Sequence, residues 1–399
     1  MSEWKKVKLG EVCSKIGSGA TPKGGAMVYI NYGTSLIRSQ NVYNLSFEYD
    51  GLSYITENAA EKLKSVTILP NDILLNITGD SVARTCIVPN NVLPARVNQH
   101  VAIIRPKDSI LNSKFLVYYL ASPSMQAHML NLAVGKGASR NAITKAMIEN
   151  FEVPCPSIHT QHRIATILSR YDSLIENYQK QIKLLEESAQ RLYKEWFIDL
   201  RFPGHENTKI VDGVPEGWEK KTLSDIATII MGQSPKSEFY NSVRNGLPFH
   251  QGVGSYGFRF VVDNVYSTSF TRIAESNSIL FSVRAPVGRL NITKNKIVIG
   301  RGLAAINHKK GHQSFLYYLL KEKFFKDNII GNGAIFASIS KDELYNQVFV
   351  IPSDEMVMRY DTIANKIDKD IQYIDSQIYF LTEGRDRLLP KLMSGEIEV

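Results

Sequence analysis

Polar side chains that can hydrogen-bond to the edges of nucleobases recur in short loops along the 399 residues of this chain. Arginine can bind guanine through two hydrogen bonds, and asparagine or glutamine can bind adenine in the same bidentate manner. In the first half of the chain the candidates are Lys23, Arg38, Ser39, Gln40, Asn41, Thr78, Ser81, Arg84, Asn98, Gln99, His100, Ser139 and Arg140. In the second half they are Lys236, His250, Gln251, Arg284, Arg289 and Arg301. For any single residue, a turn in which the side chain bonds its own backbone is the simpler interpretation, so the prediction rests on the set.

Sequence signatures of several nucleic-acid enzymes are absent. The chain contains no Pro-Pro pair, which excludes the Asn/Asp-Pro-Pro-aromatic motif of DNA amino-methyltransferases, and it has neither a Walker A loop nor a Pro-Asp…Glu-x-Lys nuclease set. Gly252 to Gly257 fits G-x-G-x-x-G, but residues 258–262 predict a strand where a dinucleotide site needs a helix. The histidines and cysteines lack metal-ligand spacing. The sequence therefore predicts no catalytic residue, no metal site and no bound cofactor.

The candidate loops belong to two copies of one sequence pattern. Trp4 to Val12 corresponds to Trp218 to Ile226, and later segments match in the same order. These segments are Asn71 to Leu74 with Asn277 to Leu280, Val82 to Arg84 with Val287 to Arg289, Phe115 to Leu120 with Phe315 to Leu320, Gly135 to Ala138 with Gly331 to Ala334, and Ile143 to Lys145 with Ile339 to Lys341. A repeat this long indicates two duplicated domains rather than a solenoid, whose units span about 20–50 residues.

A stripe of apolar residues, spaced alternately four and three apart, follows each copy. The first stripe is Ile164, Leu168, Tyr171, Ile175, Tyr178, Ile182, Leu185, Ala189, Leu192 and Trp196. The second is Ile363, Ile367, Ile371, Ile374, Ile378, Leu381, Leu388 and Leu392, with Arg385 as a polar interruption. This spacing is typical of the a and d positions of a coiled coil. The alternative is that each stripe covers the core of its own domain, but both patterns exceed the average helix of about 11–12 residues.

The segments between the stripes are rich in short strands. β-branched runs bounded by Pro, Gly or Asn alternate with short helices such as Lys114 to Leu120 and Gln313 to Phe325, which predicts α/β or α+β domains. We place the first domain at residues 1–155, the first long helix at 156–200, the second domain at 201–353 and the second long helix at 354–399.

Positive charge is concentrated in the two domains. Residues 1–150 contain 16 Lys and Arg against 10 Asp and Glu, and residues 201–353 contain 19 against 12. Residues 151–200 and 354–399 have net charges of −1 and −4. A polyanion such as DNA would therefore contact the domains, because phosphate neutralisation requires clustered cations. A generally basic surface is the alternative that charge alone leaves open.

Composition is that of an ordinary globular protein, with 44% hydrophobic and 22% charged residues. No apolar run approaches the roughly 18 residues of a membrane span, so we expect a cytoplasmic protein. Cys13, Cys86 and Cys155 are odd in number and far apart, which predicts small buried residues rather than disulfides.

Several of these segments together resemble one family, the specificity subunit (HsdS) of type I restriction-modification systems. The resemblance covers the whole chain. Its motifs are the Trp-x-x-x-x-Leu openings (Trp4/Leu9 and Trp218/Leu223), Pro215 to Trp218, Ile37 to Asn41, Phe249 to Gly252, Val153 to Pro156, Gln161 to Ala165 and Leu388 to Ile397. Met358 to Tyr360 departs from the family pattern, which has a glutamine-containing turn before the second helix.

The resemblance implies a fold and a set of partners. Two target recognition domains in tandem duplicate would be separated by two long antiparallel coiled-coil helices, with pseudo-two-fold symmetry. Each domain would recognise one half of a bipartite site in double-stranded DNA, and helix length would set the gap. The helices would also bind two methyltransferase subunits (HsdM), which use S-adenosylmethionine. Two motor-nuclease subunits (HsdR), which use ATP and Mg²⁺, can join the complex.

Two other functional classes remain open at this point. One is an autonomous enzyme with an unfamiliar motif, against which the absence of Pro-Pro argues. The other is a free-standing DNA-binding regulator or coiled-coil scaffold, against which the duplication argues. A regulator usually acquires two-fold symmetry by dimerising, whereas here one chain contains both copies.

Overall fold

The computed structural model describes residues 4–134, 142–324 and 338–399. The chain forms two compact units. Unit 1 comprises Met1–Asn177 and Gln377–Val399, and unit 2 comprises Tyr178–Ser376. Each unit therefore contains one sequence repeat together with part of each long helix.

The centre of unit 1 is a four-stranded antiparallel sheet. In spatial order its strands are Cys13–Ser18, Val101–Pro106, Ile73–Asn76 and Thr85–Ile87. Ile73 and Leu75 belong to one hydrophobic cluster and Leu74 to another, because successive strand residues point to opposite faces. One face packs against the helices of the unit, and the other packs against a second sheet.

The second sheet of unit 1 is mixed. In spatial order its strands are Ala95–Val97, Thr34–Ile37, Ser53–Ile55 and Tyr29–Ile30, and the first two are parallel. Leu36 and Val97 share a buried cluster with Leu74 and Ile103 of the central sheet. The layers are thus helix, sheet and sheet, which gives an α+β architecture.

Short elements complete unit 1. Helix Ser113–Ala121 begins at Asn112, whose side chain caps the amide of Phe115, and a new helix begins at Pro123 because proline suits a first helical position. The other helices are Leu9–Val12, Glu57–Lys62, Pro123–Ala133 and Lys145–Glu149. The 3₁₀ turns are Gly25–Val28, Ser39–Asn41, Lys64–Val66 and Asn90–Val92, and the two-stranded pairs are Lys6–Lys8 with Glu152–Pro154 and Val42–Tyr43 with Ser46–Phe47.

Unit 2 repeats the central sheet of unit 1. Its strands, in the same order, are Ala227–Met231, Leu303–His308, Ile279–Ser282 and Leu290–Ile292. The second sheet again contains a parallel pair, Leu247–His250 with Ile297–Ile299. The strands beside this pair differ from unit 1, since the full order is Tyr240–Asn241, Tyr266–Ser267, Leu247–His250, Ile297–Ile299 and Ile273–Ala274. The duplicated framework is confirmed, and the outer sheets have diverged.

The remaining elements of unit 2 are short. The helices are Leu223–Ile226, Gln313–Phe324 and Lys341–Tyr345, and the 3₁₀ turns are His205–Asn207, Ser237–Phe239 and Val253–Ser255. The two-stranded pairs are Ile210–Val211 with Val214–Pro215 and Glu219–Thr222 with Val348–Ile351. Residues 258–262 form isolated bridges at Phe260 and Val261 and not the predicted strand, and no helix directly follows Gly257.

The two long helices span Ile158–Phe197 and Asp354–Met393. In unit 1, Ile164 and Leu168 share a buried cluster with Leu389 and Leu392. In unit 2, the hydroxyl of Tyr360 donates to the carbonyl of Ala189 at 3.0 Å. Most predicted stripe positions are buried or half-buried.

Ile363 is an exception to the predicted stripe, because its side chain is 42% exposed. Tyr360 and Ala364 are buried in this turn, and Tyr360 packs within an aromatic cluster in unit 2. The cluster consists of Tyr193, Trp196, Phe197, Phe315 and Tyr360. Aromatic rings fill the helix contact here, where the apolar stripe predicted aliphatic residues. The face of the second long helix that is buried therefore includes Tyr360 and excludes Ile363.

The cysteines follow the sequence prediction only in part. Cys13 and Cys86 are buried, and burial raises the pKa of each thiol to about 12. Cys155 is half-buried, which corrects the prediction for this residue. It lies between strand Glu152–Pro154 and the first long helix.

Across the described residues, none of the helices is sufficiently long and apolar to cross a membrane. No group of three or more metal-ligating side chains occurs within residues 4–134, 142–324 and 338–399.

Candidate nucleic-acid interface

The predicted loops of the first repeat converge at one end of the central sheet in unit 1. Four backbone hydrogen bonds hold these loops or the residues that flank them: Gly19 N to Val101 O, Ala20 N to Val97 O, Asn98 N to Ile37 O, and Ile143 N to Ile77 O. Gly19 packs so closely against the carbonyl of Val97 that a Cβ would lie 1.9 Å from its oxygen. We call residues 19–23, 38–41, 78–81 and 98–100 loop cluster 1.

The side chains of loop cluster 1 are linked to one another. His100 Nδ1 lies 2.6 Å from Thr78 Oγ1, and its Nε2 lies 3.1 Å from the amide nitrogen of Gln99. Arg38 and Gln40 both donate to the carbonyl of Gly51, at 2.8 and 3.1 Å. Gln40 and Gln99 are exposed, so loop cluster 1 presents amide groups to solvent on a fixed backbone.

Loop cluster 2 occupies the equivalent place in unit 2 and comprises residues 232–236, 250–252, 284–286 and 300–302. The same four backbone bonds recur: Gly232 N to Leu303 O, Gln233 N to Ile299 O, Gly300 N to His250 O, and Ile339 N to Val283 O. A Cβ on Gly302 would lie 2.4 Å from the carbonyl of Gln251, so glycine is required for this contact. The duplication therefore preserves how the loops are joined.

Exposed groups surround a small cavity in loop cluster 2. The cavity has a volume of about 160 Å³ and is lined by Gln251, Gly252, Val253, Ser282, Arg284, Ala285 and Gly302. Gln251, Arg284 and Arg301 are exposed. A glutamine amide and two guanidinium groups provide the donor and acceptor types that base edges and phosphates bind.

Three predicted contact residues are buried, so their side chains have structural roles. Asn41 is 0% exposed; it accepts from the amide of Arg38 and donates to the carbonyl of Glu48. Asn98 is 8% exposed and accepts from the amide of His100. His250 is 1% exposed and bonds both Ser255 and Asp263. These side chains shape the loops and do not reach their outer surface.

The other candidates occupy several environments. Lys23 and Lys236 are exposed, whereas Ser39, Thr78 and Ser81 are half-buried. Arg84 lies 4.5 Å from the centroid of the Tyr43 ring, outside loop cluster 1 as defined. Arg289 is half-buried and lines a second cavity of unit 2. Ser139 and Arg140 lie outside the described residues.

Sequence reasoning missed the joint between each domain and the long helices. In unit 1, the hydroxyl of Tyr118 donates to Asp172, and Arg385 donates to the same carboxylate at 2.7 Å. In unit 2, the matching hydroxyl of Tyr318 donates to Asp368 at 3.1 Å. Burial, followed by the adjacent carboxylate, raises the pKa of Tyr118 far above its usual range. The sequence signal for these contacts was the match of Phe115 to Leu120 with Phe315 to Leu320, which aligns Tyr118 with Tyr318.

The fold and site define a duplicated protein in which two basic domains each present an equivalent polar loop cluster. A family model described as the type I restriction modification DNA specificity domain matches residues 1–187 and 215–373. The chain belongs to this family of specificity subunits.

Relatives with this role match along the whole chain. The putative type I restriction enzyme MjaX specificity subunit of Methanocaldococcus jannaschii is 26% identical over 404 residues, covering 100% of this chain and 94% of the relative. The MjaIX specificity subunit of the same organism is 27% identical over 417 residues, with the same coverage. The crystal structure of the S subunit from M. genitalium covers 98% of this chain and 96% of that chain, with a TM-score of 0.56 and 17% identity, and so supports the fold.

Proposed function

We propose that each loop cluster recognises one half of a bipartite, asymmetric DNA site. The observation that carries this proposal is the recurrence in both units of the four backbone hydrogen bonds that hold the loops or their flanking residues. Exposed side chains on the two frameworks differ, with Gln40 and Gln99 in one and Gln251, Arg284 and Arg301 in the other. Different donors and acceptors select different base pairs, so the two half-sites should differ in sequence.

We further propose that residues 1–155 and 201–353 are the recognition domains and that 156–200 and 354–399 are antiparallel spacer helices. Contacts within each unit support this arrangement. In unit 1, Tyr171 packs beside Gly384 while Ile164, earlier in its helix, shares a cluster with Leu392, later in the other helix. A helix of 40 residues is about 60 Å long at 1.5 Å per residue. Half-sites one DNA turn apart are separated by about 34–36 Å, so a helix of this length is sufficient for the proposed spacer role.

The long helices also offer apolar side chains to partners. In unit 1, Leu174 is 46%, Tyr379 51% and Phe380 65% exposed. In unit 2, Leu184 is 62% and Tyr373 66% exposed. Exposed aromatic groups are enriched at protein interfaces. We propose that these faces bind two methyltransferase subunits carrying S-adenosylmethionine, that two motor-nuclease subunits using ATP and Mg²⁺ join them, and that this chain supplies no catalytic group.

Reconstitution tests this division of labour. We expect the purified chain alone to transfer no methyl group from S-adenosylmethionine to DNA, and the chain mixed with its cognate methyltransferase subunit to transfer it at one split motif. The methyltransferase subunit alone is the control and should lack site preference. Methyl transfer by the chain alone would contradict the proposal, as would a stable homodimer that binds DNA but no methyltransferase.

A further inference from the structure

Arg259 is a buried cation that joins a loop of the second domain to both long helices within unit 2. Its side chain is only 1% exposed. Nη1 donates to Glu186 of the first long helix, and Nη2 donates to Asp368 of the second, each at 2.6 Å. The guanidinium also lies over the ring of Tyr317, with Cζ 3.6 Å from the ring centroid.

Backbone hydrogen bonds hold the loop that contains Arg259. The carbonyl of Arg259 accepts from the amide of Ile292, and the carbonyl of Ile292 accepts from the amide of Val261. The side chain of Asn291 donates to the carbonyl of Gly257 at 3.0 Å, which closes the same loop. Ile292 belongs to the central sheet of unit 2, so these bonds connect the loop that carries Arg259 to the sheet that supports loop cluster 2.

The corresponding joint in unit 1 is built differently. There the arginine beside the Tyr118–Asp172 contact is Arg385, which belongs to the second long helix. In unit 2 the arginine comes from the recognition domain. Among the described residues, therefore, the domain-to-helix joint of unit 2 alone contains an arginine supplied by the domain and bonded to both helices.

We infer that Arg259 is a positioning residue that fixes the second recognition domain on the two helices and thereby restricts the gap between the DNA half-sites. This inference rests on the proposed function. Arginine remains charged and its planar fork can bond two carboxylates at once, so both helices must keep their places relative to the domain. A purely stabilising ion cluster would alter unfolding without altering which gap is accepted.

The test compares variants that remove the joint with variants that keep it. Arg259→Met leaves the half-buried carboxylate of Asp368 without a cation and that of Glu186 with only Lys321, 3.5 Å away, which threatens folding. The combined Arg259→Met, Glu186→Gln, Asp368→Asn variant removes these three charges, so that no carboxylate loses its cation, and leaves the partly exposed Lys321 as the one remaining charge of the cluster. Arg259→Lys retains the charge but not the fork. Lys296→Met is the control, because Lys296 pairs with Glu275 at 2.9 Å within the domain.

Each variant, assembled with the methyltransferase subunit, is given DNA that contains both half-sites at gaps from two base pairs shorter to two longer than the native gap. We expect the combined variant to lose at least tenfold in preference for the native gap while keeping both half-site sequences, Arg259→Lys to show a smaller loss, and Lys296→Met to show none. An unchanged gap preference in the folded combined variant would overturn the inference, as would a changed second half-site.

A distance measurement separates this inference from the proposed function. Spin labels at Asn295→Cys and Lys183→Cys, in a Cys155→Ser background, report the position of the domain relative to the first helix without DNA. The combined variant should broaden the distance distribution. A distribution as narrow as that of the unmodified chain would reject the positioning role, whatever the methylation assays show. Conversely, the combined variant could broaden the distance distribution while the unmodified complex methylates no split motif. That result would support the contact between Arg259 and the helices but reject the proposed function.

Discussion

Replacing Gln251, Arg284 and Arg301 together with alanine is expected to abolish recognition of one DNA half-site and to leave the other intact. All three side chains are exposed in loop cluster 2. A good bidentate contact to a base contributes about 1–3 kcal/mol of discrimination. The loss of two such contacts should lower the preference for the cognate half-site on the order of a thousandfold. Binding to DNA libraries randomised in one half-site at a time measures this preference.

The control for the alanine variant removes two cations from the other end of the second domain. Lys220 and Lys309 are exposed, and Lys309 follows the strand that begins beside loop cluster 2. Their replacement by alanine should leave the preference at both half-sites unchanged, because both lie away from loop cluster 2 and Lys309 Nζ donates to the carbonyl of Ser224 at 2.6 Å. Equal loss at both half-sites in the triple variant, or a relaxed half-site in the control, would contradict the assignment of loop cluster 2.

Inserting four helical residues into both long helices should lengthen the gap by one base pair without altering either half-site. The insertions belong at Asn177/Tyr178 and Ser376/Gln377, where the two units meet in sequence. Four residues add about 6 Å and rotate the helix about 40° beyond one turn. One base pair adds about 3.4 Å and about 34°, so a one-pair change fits the rotation best. Methylation of DNA with graded gaps gives the result.

The site of insertion matters because both helices are engaged within each unit. An insertion beside Glu186 would move a carboxylate that bonds Arg259 and would disturb unit 2 as well as helix length. The same four residues inserted after Gly204, in the exposed segment that follows the first long helix, provide the control and should leave the gap unchanged. An altered half-site in the helix variant, or a longer gap in the control, would exclude the spacer role.

Much of the framework was accessible from sequence because it depends on local patterns. The matched segments predicted the duplication, and the central sheets indeed share one strand order. The four-three spacing predicted two long helices, because the alternation continues over many successive helical turns in each segment. The loops were also located correctly as places where strands end, and the structure joins them into two clusters.

The rest depended on contacts that no local pattern encodes. Asn41 and His250 have side chains that can bind base edges. In the folded chain, however, Asn41 bonds Glu48 and His250 bonds Asp263, and both side chains are buried. Arg259 is an unremarkable loop residue in the sequence, and only the folded chain brings Glu186 and Asp368 to it. Tyr360 replaces Ile363 at the helix contact because large rings fill the space beside Phe315.

The central claim is that this chain determines where DNA is methylated, and it is tested most directly by mapping methylated adenine. Genomic DNA from a host that expresses the chain with its methyltransferase subunit is compared with DNA from a strain lacking the chain. We expect a split motif with one fixed gap that disappears in the deletion strain. Methylation that persists at the same motif without the chain would contradict the account.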